Sequence, residues 1–395
     1  TKPTPMVKLS LFSQITSIIP RNLFSIIVDK YQGDKYTKGI DSWTHFISML
    51  FCQLGQANSV RDISNGLRSI TGNIYHLGCQ RSPSKSTISY VNEHRNFRVF
   101  QEFYYSLFSY LKLQTHFAKP ALHQLRRKVY LLDASTISLS LSLYDWAKFR
   151  TRKGAVKLHM LLDYDGCLPA FADLTHGNIH EIQIARKMNL PNDSIVVFDM
   201  GYYDFAWWKN LDSRNIWFVT RAKDNLDYQV VERFDITDEK NKGVMEDCNI
   251  RLNSVKGREE YPNMLRLVRF WDEKNQNLLV FLTNNRYWTA STVAAIYKER
   301  WQIESFFKMI KQNLRIKSFV GTSENAVQIQ IWTALITMLL LTYLKIKAKY
   351  AWHMSNLITF IRLNLFVKID LWQWINEPFF RPKEIISTQL SLFSG

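Results

Sequence analysis

The sequence is poor in the residues that dominate disulfide-rich and low-complexity proteins. Its 395 residues include only 4 cysteines, 14 glycines and 10 prolines, and no segment repeats another. The cysteines lie too far apart for zinc-type spacing and form no disulfide-framework pattern; they are Cys52, Cys79, Cys167 and Cys248. These absences favour a globular protein of a reducing cytoplasm.

Long hydrophobic runs are also absent. The longest apolar stretch, residues 331–346, is short for a bilayer span and contains three threonines. Near the N-terminus, the apolar patches between residues 9 and 19 are followed by Pro20 and Arg21 and by no small-residue cleavage site. The sequence therefore predicts a buried helix at 331–346, no secretion signal and no membrane partner.

Acidic residues are scarce relative to basic ones. There are 34 Asp and Glu against 51 Lys and Arg, which gives a formal net charge of +17. Such an excess favours a polyanionic partner, and DNA, RNA and an anionic membrane all satisfy it. Hydrophobic residues make up 46% of the chain, which argues against disorder. The length allows about two to four domains.

Residues 1–120 have the apolar spacing of helices. Within them, segments 59–69 and 82–95 resemble the two helices of a helix-turn-helix, and the second carries Lys85, His94 and Arg95. One interpretation is an N-terminal DNA-binding domain in which Lys85 and Arg95 contact DNA. The other is a solvated helical pair without a ligand.

The chain changes to short β-rich runs after residue 128. These runs span residues 129–135, 155–163, 168–175, 194–200 and 216–222, with helical segments after the third and the fourth. Three strands, a helix, a strand, a helix and a strand predict an α/β fold, a mixed sheet with flanking helices. This order matches a ribonuclease-H-like core.

The remaining chain interrupts and then completes that core. Residues 228–286 alternate charged and apolar positions and predict a β-rich insertion, and a single long helix is expected from about residue 291 to 314. The predicted division is a helical N-terminal domain, the first part of the core, the insertion, the second part of the core, and a helical C-terminal region: 1–120, 121–227, 228–286, 287–320 and 321–395.

Two aspartates end predicted strands that are expected to be neighbours. Asp133 ends the first strand and Asp199 the fourth, so their carboxylates are expected to converge at one end of the sheet. With a third carboxylate from Glu304 they would repel one another unless hard divalent cations occupied the site. We expect two Mg²⁺ ions, replaceable by Mn²⁺, with Asp133 bridging both and Asp199 and Glu304 each binding one.

A polar stripe runs along the predicted long helix. At 100° per residue, Tyr297, Arg300, Glu304 and Lys311 fall within an arc of about 60°. The neighbouring arc is apolar and predicts the face that docks on the core; it contains Ile303, Phe306, Phe307, Ile310 and Leu314. The alternative is an ordinary surface pair between Arg300 and Glu304.

The spacing of these four residues is that of a known signature. The segment YKERWQIESFFKMIK fits the pattern Y(2)R(3)E(6)K, and the sequence resembles the DDE transposases of insertion sequence family four over nearly its whole length. Other matching segments are LLDASTISLSLSLYDWAKFR, KGAVKLHMLLD, FDMGYYDFAWW and FVTRAKDN. One departure is Met200, where the family usually has arginine before Gly-Tyr.

The resemblance implies a bacterial, cytoplasmic enzyme of cut-and-paste transposition acting on nucleoid DNA. Such an enzyme binds terminal inverted repeats, cuts at the element ends through a hairpin intermediate and joins the 3′-hydroxyl ends to target DNA. Tyr297 and Arg300 would hold a phosphate of the element end, and Lys311 would contact DNA near the cut. The family acts as a homodimer on two DNA ends, and residues 321–395 are the expected contact between subunits. The alternative is that this segment simply completes the catalytic core.

Further DNA contacts are expected around this centre. Hairpin formation requires a base to be extruded and stacked on an aromatic ring, for which Trp271, Trp288 and Trp301 are candidates. Basic residues flank the second and fifth predicted strands and suggest a DNA-binding rim, with a solvated basic surface as the alternative; they are Arg152, Lys153, Lys157, Arg221 and Lys223.

Two other functions remain compatible with the sequence. A ribonuclease-H-like nuclease would cut DNA without joining it, so strand-transfer products would be absent. A non-catalytic DNA-binding repressor would bind DNA without metal-dependent cleavage and would be insensitive to Asp133→Asn. The presence of all three carboxylates favours the enzyme.

Overall fold

The computed structural model describes residues 9–37, 39–70, 74–115, 125–150, 153–236 and 242–379. The N-terminal part is helical, as expected. Its six helices are α1 Leu11–Ser17, α2 Arg21–Lys30, α3 Ser42–Leu54, α4 Val60–Arg68, α5 Lys85–His94 and α6 Arg98–Gln114. Hydroxyl or carboxylate side chains cap the starts of α1, α3, α4 and α5, which explains where these helices begin.

The two predicted helix-turn-helix segments form α4 and α5, which pack against each other. Their connection is much longer than the turn of about three or four residues in that motif. It spans residues 69–84 and includes a short 3₁₀ helix at Ile74–Leu77. The helices were therefore predicted correctly, but their connection differs from that of a helix-turn-helix.

The central strands form the predicted ribonuclease-H-like sheet. They are β1 Val129–Leu139, β2 Lys148–Arg150, β3 Lys153–Asp163, β4 Leu168–His176, β5 Ile195–Val197 and β6 Trp217–Arg221. β3 pairs antiparallel with β1 and β4, whereas β1, β5 and β6 pair in parallel. Helices α7 Glu181–Ala185 and α8 Phe205–Ser213 make the crossovers. All three residues of β5 are buried, as expected of a central parallel strand.

The β-rich segment after the core extends the same sheet. It contains β7 Tyr228–Arg233, β8 Val244–Leu252, helix α9 Val255–Glu260, β9 Leu265–Asp272 and β10 Asn277–Thr283. β10 pairs antiparallel with β6, so the sheet continues in the order β6, β10, β9, β8, β7. The strands of the insertion and those of the ribonuclease-H-like core therefore form one continuous sheet.

The long helix expected at 291–314 is two helices, α10 Ala290–Lys298 and α11 Trp301–Asn313. Between them, the N–H of Arg300 donates to the carbonyl of Tyr297 and the N–H of Ile303 to that of Arg300, three residues back instead of four. Such 3₁₀ hydrogen bonding tightens the turn. The prediction of one continuous helix was wrong, because side-chain periodicity does not distinguish the two hydrogen-bonding patterns.

The C-terminal helices complete the N-terminal helical layer. They are α12 Glu324–Lys347, α13 Met354–Leu363 and α14 Leu371–Asn376. α12 is long and apolar enough to cross a membrane, yet it is almost entirely buried against α3, α5, α6 and α13. Its three central threonines donate their hydroxyls to carbonyls one turn back. The predicted buried helix is confirmed, and residues from both ends of the chain share one core.

Two hydrophobic cores cover the two faces of the sheet. The helical layer, α10 and α11 cover one face, and α7, α8 and α9 pack on the other. A buried ion pair joins β8 and β9: Arg266 donates two hydrogen bonds to Asp247, at 2.7 and 2.6 Å, and a third to the carbonyl of Trp288. Both side chains are more than nine-tenths buried.

This pair predicts a large difference between two arginines of β9. Arg266→Met leaves Asp247 as a buried, unpaired charge and should lower the free energy of unfolding by about 3–5 kcal/mol. Arg269→Met removes a more exposed pair, and Glu246 keeps its second partner, Arg233, so this change should cost about 1 kcal/mol or less. Urea denaturation of the two variants measures the difference, and equal losses would contradict the structural role of Arg266.

Candidate active site

The pairing of β1 with β5 brings the two predicted aspartates to the same level of the sheet. Leu131 of β1 pairs in parallel with Val197 of β5, and Asp133 and Asp199 each lie two residues further along. They therefore share the sheet face covered by α10 and α11. One detail differs from the prediction: β1 continues to Leu139, so Asp133 lies within its strand, where β3 alone among the described strands still pairs with it.

Asp199 begins a short 3₁₀ turn directly after β5. Its Oδ1 accepts the N–H of Gly201 at 2.9 Å, and its carbonyl accepts the hydroxyl of Thr220 from β6 at 3.3 Å. These contacts fix the backbone and leave Oδ2 without a hydrogen bond to any described residue. Met200 is partly exposed beside it.

The third carboxylate comes from α11. The apolar face predicted for this helix is buried and packs on β1, so its fourth residue, Glu304, lies over the strand that carries Asp133. Arg300 connects the two: Nη2 donates to Oε1 of Glu304, and Nη1 lies 3.7 Å from Oδ2 of Asp133. The polar stripe is therefore more than a surface ion pair, since it reaches a strand carboxylate.

Burial and like charge both act on Asp133. Its side chain is 17% exposed, and the pKa of the carboxyl is raised from its usual 3.8 to about 6, chiefly by burial. The carboxylates of Asp199 and Glu304 contribute to this rise, whereas the Ala134 N–H and Arg300 oppose it. The site therefore holds more negative charge than Arg300 alone neutralises.

The donor set suits hard divalent cations. Within the described part of the chain, no three His, Cys, Asp or Glu side chains approach closely enough to hold one ion. At this site the Arg300 guanidinium contacts both Asp133 and Glu304. Mg²⁺ is usually held by one or two carboxylates together with substrate phosphates. Two ions sharing Asp133 need no cluster of three, so the residues fit once Arg300 releases the carboxylates.

Two cations and a tyrosine surround this centre. Tyr297 of α10 is buried against the ring of Phe281, with 4.9 Å between centroids, and the Arg300 guanidinium lies 5.5 Å from its ring. Burial raises the pKa of Tyr297, and Arg300 and Arg221 oppose the shift. Arg221 ends β6, and its Nε has no hydrogen-bond partner among the described residues.

Lys311 is held against β1 beyond the carboxylates. Its Nζ donates to Oγ of Ser135 at 2.6 Å and to the carbonyl of Thr136 at 2.9 Å. An open cleft of about 350 Å³ lies here, and nine residues line it: Asp133, Ala134, Ser135, Glu304, Phe307, Lys308, Lys311, Gln312 and Lys317. Lys308 and Lys317 were not predicted, although Lys308 lies one turn beyond Glu304.

Comparison with known proteins identifies the family. Residues 124–340, more than half of the chain, match the transposase DDE domain. The chain is a DDE transposase. Residues 7–80 match a domain of unknown function, DUF4372.

Curated relatives agree with this family. A putative transposase of Sinorhizobium fredii is 34% identical over 262 residues, which cover 66% of this chain and 71% of that protein. A probable transposase for insertion sequence element IS5377 of Geobacillus stearothermophilus is 27% identical, covering 59% and 61%. The cryo-EM structure of the piggyBac transposase synaptic complex with hairpin DNA is a distant likeness, with a TM-score of 0.39 and 10% identity, covering 94% and 81%.

Several residues predicted to contact DNA are bound to other residues of this transposase. Arg95 is almost fully buried; it pairs with Asp34 and donates to the carbonyls of Gly33, Ile40 and Asp41. Its prediction as a DNA contact was wrong, because these loop carbonyls need its donors.

The basic rim is only partly available. Lys157 donates to Glu181 at 2.8 Å and to the carbonyl of Ile179, so it is a structural cation and not a free rim residue. Lys223 is exposed, with its Nζ 4.6 Å from the ring centroid of Tyr203. Arg152 and the side chain of Lys153 lie outside the described residues.

The three tryptophans predicted as candidates for base stacking differ in their exposure and packing. Trp301, the first residue of α11, is 65% exposed beside Arg300, whereas Trp271 is 37% exposed. Trp288 packs edge-on against Trp217, with 5.1 Å between ring centroids, and its carbonyl accepts from Arg266. Of these three tryptophans, Trp301 is therefore the most exposed to a ligand.

The raised pKa of Asp133 predicts that the carboxylate destabilises the metal-free fold. In the unfolded chain it ionises near pH 3.8 and in the folded chain near pH 6, so ionisation costs folding free energy as the pH rises between these values. Asp133→Asn should therefore raise the free energy of unfolding by roughly 1–3 kcal/mol at pH 7.5 and by little at pH 4.

Urea denaturation with a chelator present measures this difference. The exposed Asp224→Asn should change the stability little at either pH, which makes it the matched control. A wild-type protein as stable as Asp133→Asn at pH 7.5 would contradict the electrostatic strain at this site.

Proposed function

We propose that this chain is a cut-and-paste transposase of insertion sequence family four. It binds the terminal inverted repeats of its element in double-stranded DNA, cuts the ends through a hairpin intermediate and joins the 3′-hydroxyls to target DNA. One observation carries the proposal: the Arg300 side chain contacts both Asp133 and Glu304, and Asp199 lies at the level of Asp133 beyond the end of the neighbouring strand. We place this activity in the bacterial cytoplasm.

The three carboxylates are assigned as metal ligands. Asp133 would be a ligand shared by two Mg²⁺ or Mn²⁺ ions, and Asp199 and Glu304 would each hold one. Ions held there would supply activation of the attacking hydroxyl and stabilisation of the leaving oxygen. Oδ1 of both aspartates accepts a backbone N–H, which orients each carboxylate and supports this assignment.

Arg300 has two roles in this proposal. Before DNA binds, its guanidinium keeps Asp133 and Glu304 together; with DNA present, it exchanges them for a phosphate of the element end. Nε of Arg300, like that of Arg221, has no hydrogen-bond partner among the described residues, which supports a ligand that supplies acceptors. Arginine can hold a phosphate through two parallel hydrogen bonds. Tyr297 supports the guanidinium, and Lys311 contacts the strand near the cut.

Cleavage of the element's own ends tests this function. Wild-type protein with Mg²⁺ should yield double-strand cuts, hairpin ends and strand-transfer products. Glu304→Gln keeps the side-chain volume but removes the charge, so it should lower the cutting rate by about 10³-fold or more. Glu273→Gln, at an exposed position outside this site, should leave the rate unchanged.

The products separate the remaining alternatives. Cuts without any strand-transfer product would identify a nuclease, and metal-independent binding without cuts would identify a repressor. Undiminished cutting by Glu304→Gln would overturn the assignment of that carboxylate. Mn²⁺ in place of Mg²⁺ should support the same three products.

Trp301 is assigned as the ring on which the extruded base stacks. Stacking of one base is worth about 1–3 kcal/mol, so Trp301→Ala should lower the yield of hairpin ends roughly 5- to 100-fold while the first nick persists. Trp271→Ala is the matched control and should leave the ratio of hairpins to nicks unchanged. A normal ratio in Trp301→Ala would exclude this role.

A homodimer on two DNA ends completes the proposal. The predicted contact in residues 321–395 cannot involve most of α12, because that helix is buried within its own chain. Among the described residues after α12, five exposed apolar or aromatic side chains are candidates: Tyr350, Leu363, Val367, Trp372 and Phe379. The mass of the end-bound complex tests the dimer.

A further inference from the structure

A second cleft, of about 480 Å³, opens in the N-terminal helical layer between α4 and the start of α5. It shares no lining residue with the cleft that holds Asp133 and Glu304. Its lining contains three cations and no acidic residue: Arg61, Ser64, Asn65, Arg68, Ser82, Pro83, Ser84 and Lys85. The residues around it belong to the domain of unknown function and the segment that follows it.

The cations are arranged on two helices. Arg61, Asn65 and Arg68 occupy positions i, i+4 and i+7 of α4, which form one stripe on its exposed face. Lys85 is the exposed first residue of α5. None of the three cations has an ion-pair partner among the residues described here. The neighbouring Asp62 accepts the N–H of Asn58 at 3.0 Å.

Hydrogen bonds and close packing fix the shape of this cleft. Ser64 donates to the carbonyl of Pro83 at 2.8 Å, and Ser82 donates to that of Leu67 at 3.1 Å, so α4 is tied to the segment that begins α5. Gly66 lets α4 approach α3, since a Cβ there would lie 2.3 Å from the Phe51 ring. The cations therefore stand on a preformed surface.

No acidic residue lines the cleft, so its clustered cations repel one another, and a bound polyanion removes that cost. Arg61 and Arg68 are about 10 Å apart along the helix axis, a distance over which one strand of B-DNA carries about three phosphates. Asn65 and Ser84 add neutral donors of the kind that bind phosphate oxygens.

We propose that this cleft binds the phosphate backbone of duplex DNA through Arg61, Arg68 and Lys85. The proposal rests on the proposed function, since a transposase must hold DNA outside the site where it cuts. It replaces the predicted pair of Lys85 and Arg95: Lys85 remains, and two arginines of α4 take the place of the buried Arg95. Contacts to phosphate are independent of base sequence.

Salt-dependent binding of full-length protein tests this site. Each phosphate contact contributes about 0.9 to the slope of log affinity against log salt. The triple variant Arg61→Ala, Arg68→Ala, Lys85→Ala should therefore lose about 2 to 3 units of slope, with the end-repeat duplex and with an unrelated duplex alike. Measurements in chelator, between 50 and 200 mM NaCl, keep binding separate from cleavage.

The matched control is the triple variant Lys345→Ala, Lys349→Ala, Arg362→Ala. It removes the same number of exposed cations from the C-terminal helical region and should retain the wild-type slope. Thermal unfolding verifies that both triple variants are folded, and a charge reversal, Lys85→Glu, should lower affinity further than Lys85→Ala.

The outcomes separate this inference from the function on which it rests. Equal slopes for the two triple variants would overturn the cleft as a DNA site while leaving Mg²⁺-dependent cutting intact. A loss confined to the end-repeat duplex would overturn backbone binding in favour of base contacts. Failure of the wild-type protein to bind either duplex would overturn both proposals.

Discussion

The interaction on which the site depends is that of one guanidinium with two carboxylates on different elements. Asp133 is fixed by a central strand and Glu304 by a helix, and Arg300 keeps them together although both are negative. Without such a cation, repulsion would push α11 away from β1, because Asp133 is mostly buried and weakly solvated. In this arrangement the pKa of the Asp133 carboxyl is raised. Its ionised form is therefore electrostatically unfavourable at the place where cations are expected to bind.

The position of α11 depends in turn on both ends of the chain. Its buried face packs on β1 and contacts α13, whose neighbours α12 and α3 belong to the same helical layer. The helical layer built from both ends of the chain therefore backs the helix that carries Glu304. The described C-terminal helices α12 and α13 therefore belong physically to the support behind the glutamate helix.

The sequence predicts most of the sheet and its carboxylates, because buried strands have a plain apolar pattern. Asp133, Asp199 and Glu304 follow from strand order and helical spacing. The tightened turn at Arg300 does not, since a change from four-residue to three-residue hydrogen bonding leaves side-chain periodicity almost unaltered. The pairing of β10 with β6 also cannot be predicted from the sequence, because strand pairing across a long insertion depends on packing and not on local pattern.

The cations show why composition alone could not assign the DNA contacts. A buried guanidinium needs acceptors from the protein, so Arg95 and Arg266 are bound to carboxylates and carbonyls that lie far away in the sequence. An exposed cation in a concave surface without acids has no such partner, as at Arg61 and Lys85. Both kinds count equally toward the net charge of +17. The two kinds differ in the burial of the side chain and in its hydrogen-bond and ion-pair partners, both of which are set by the fold. A buried, paired cation stabilises the protein, whereas an exposed, unpaired cation can bind a polyanion.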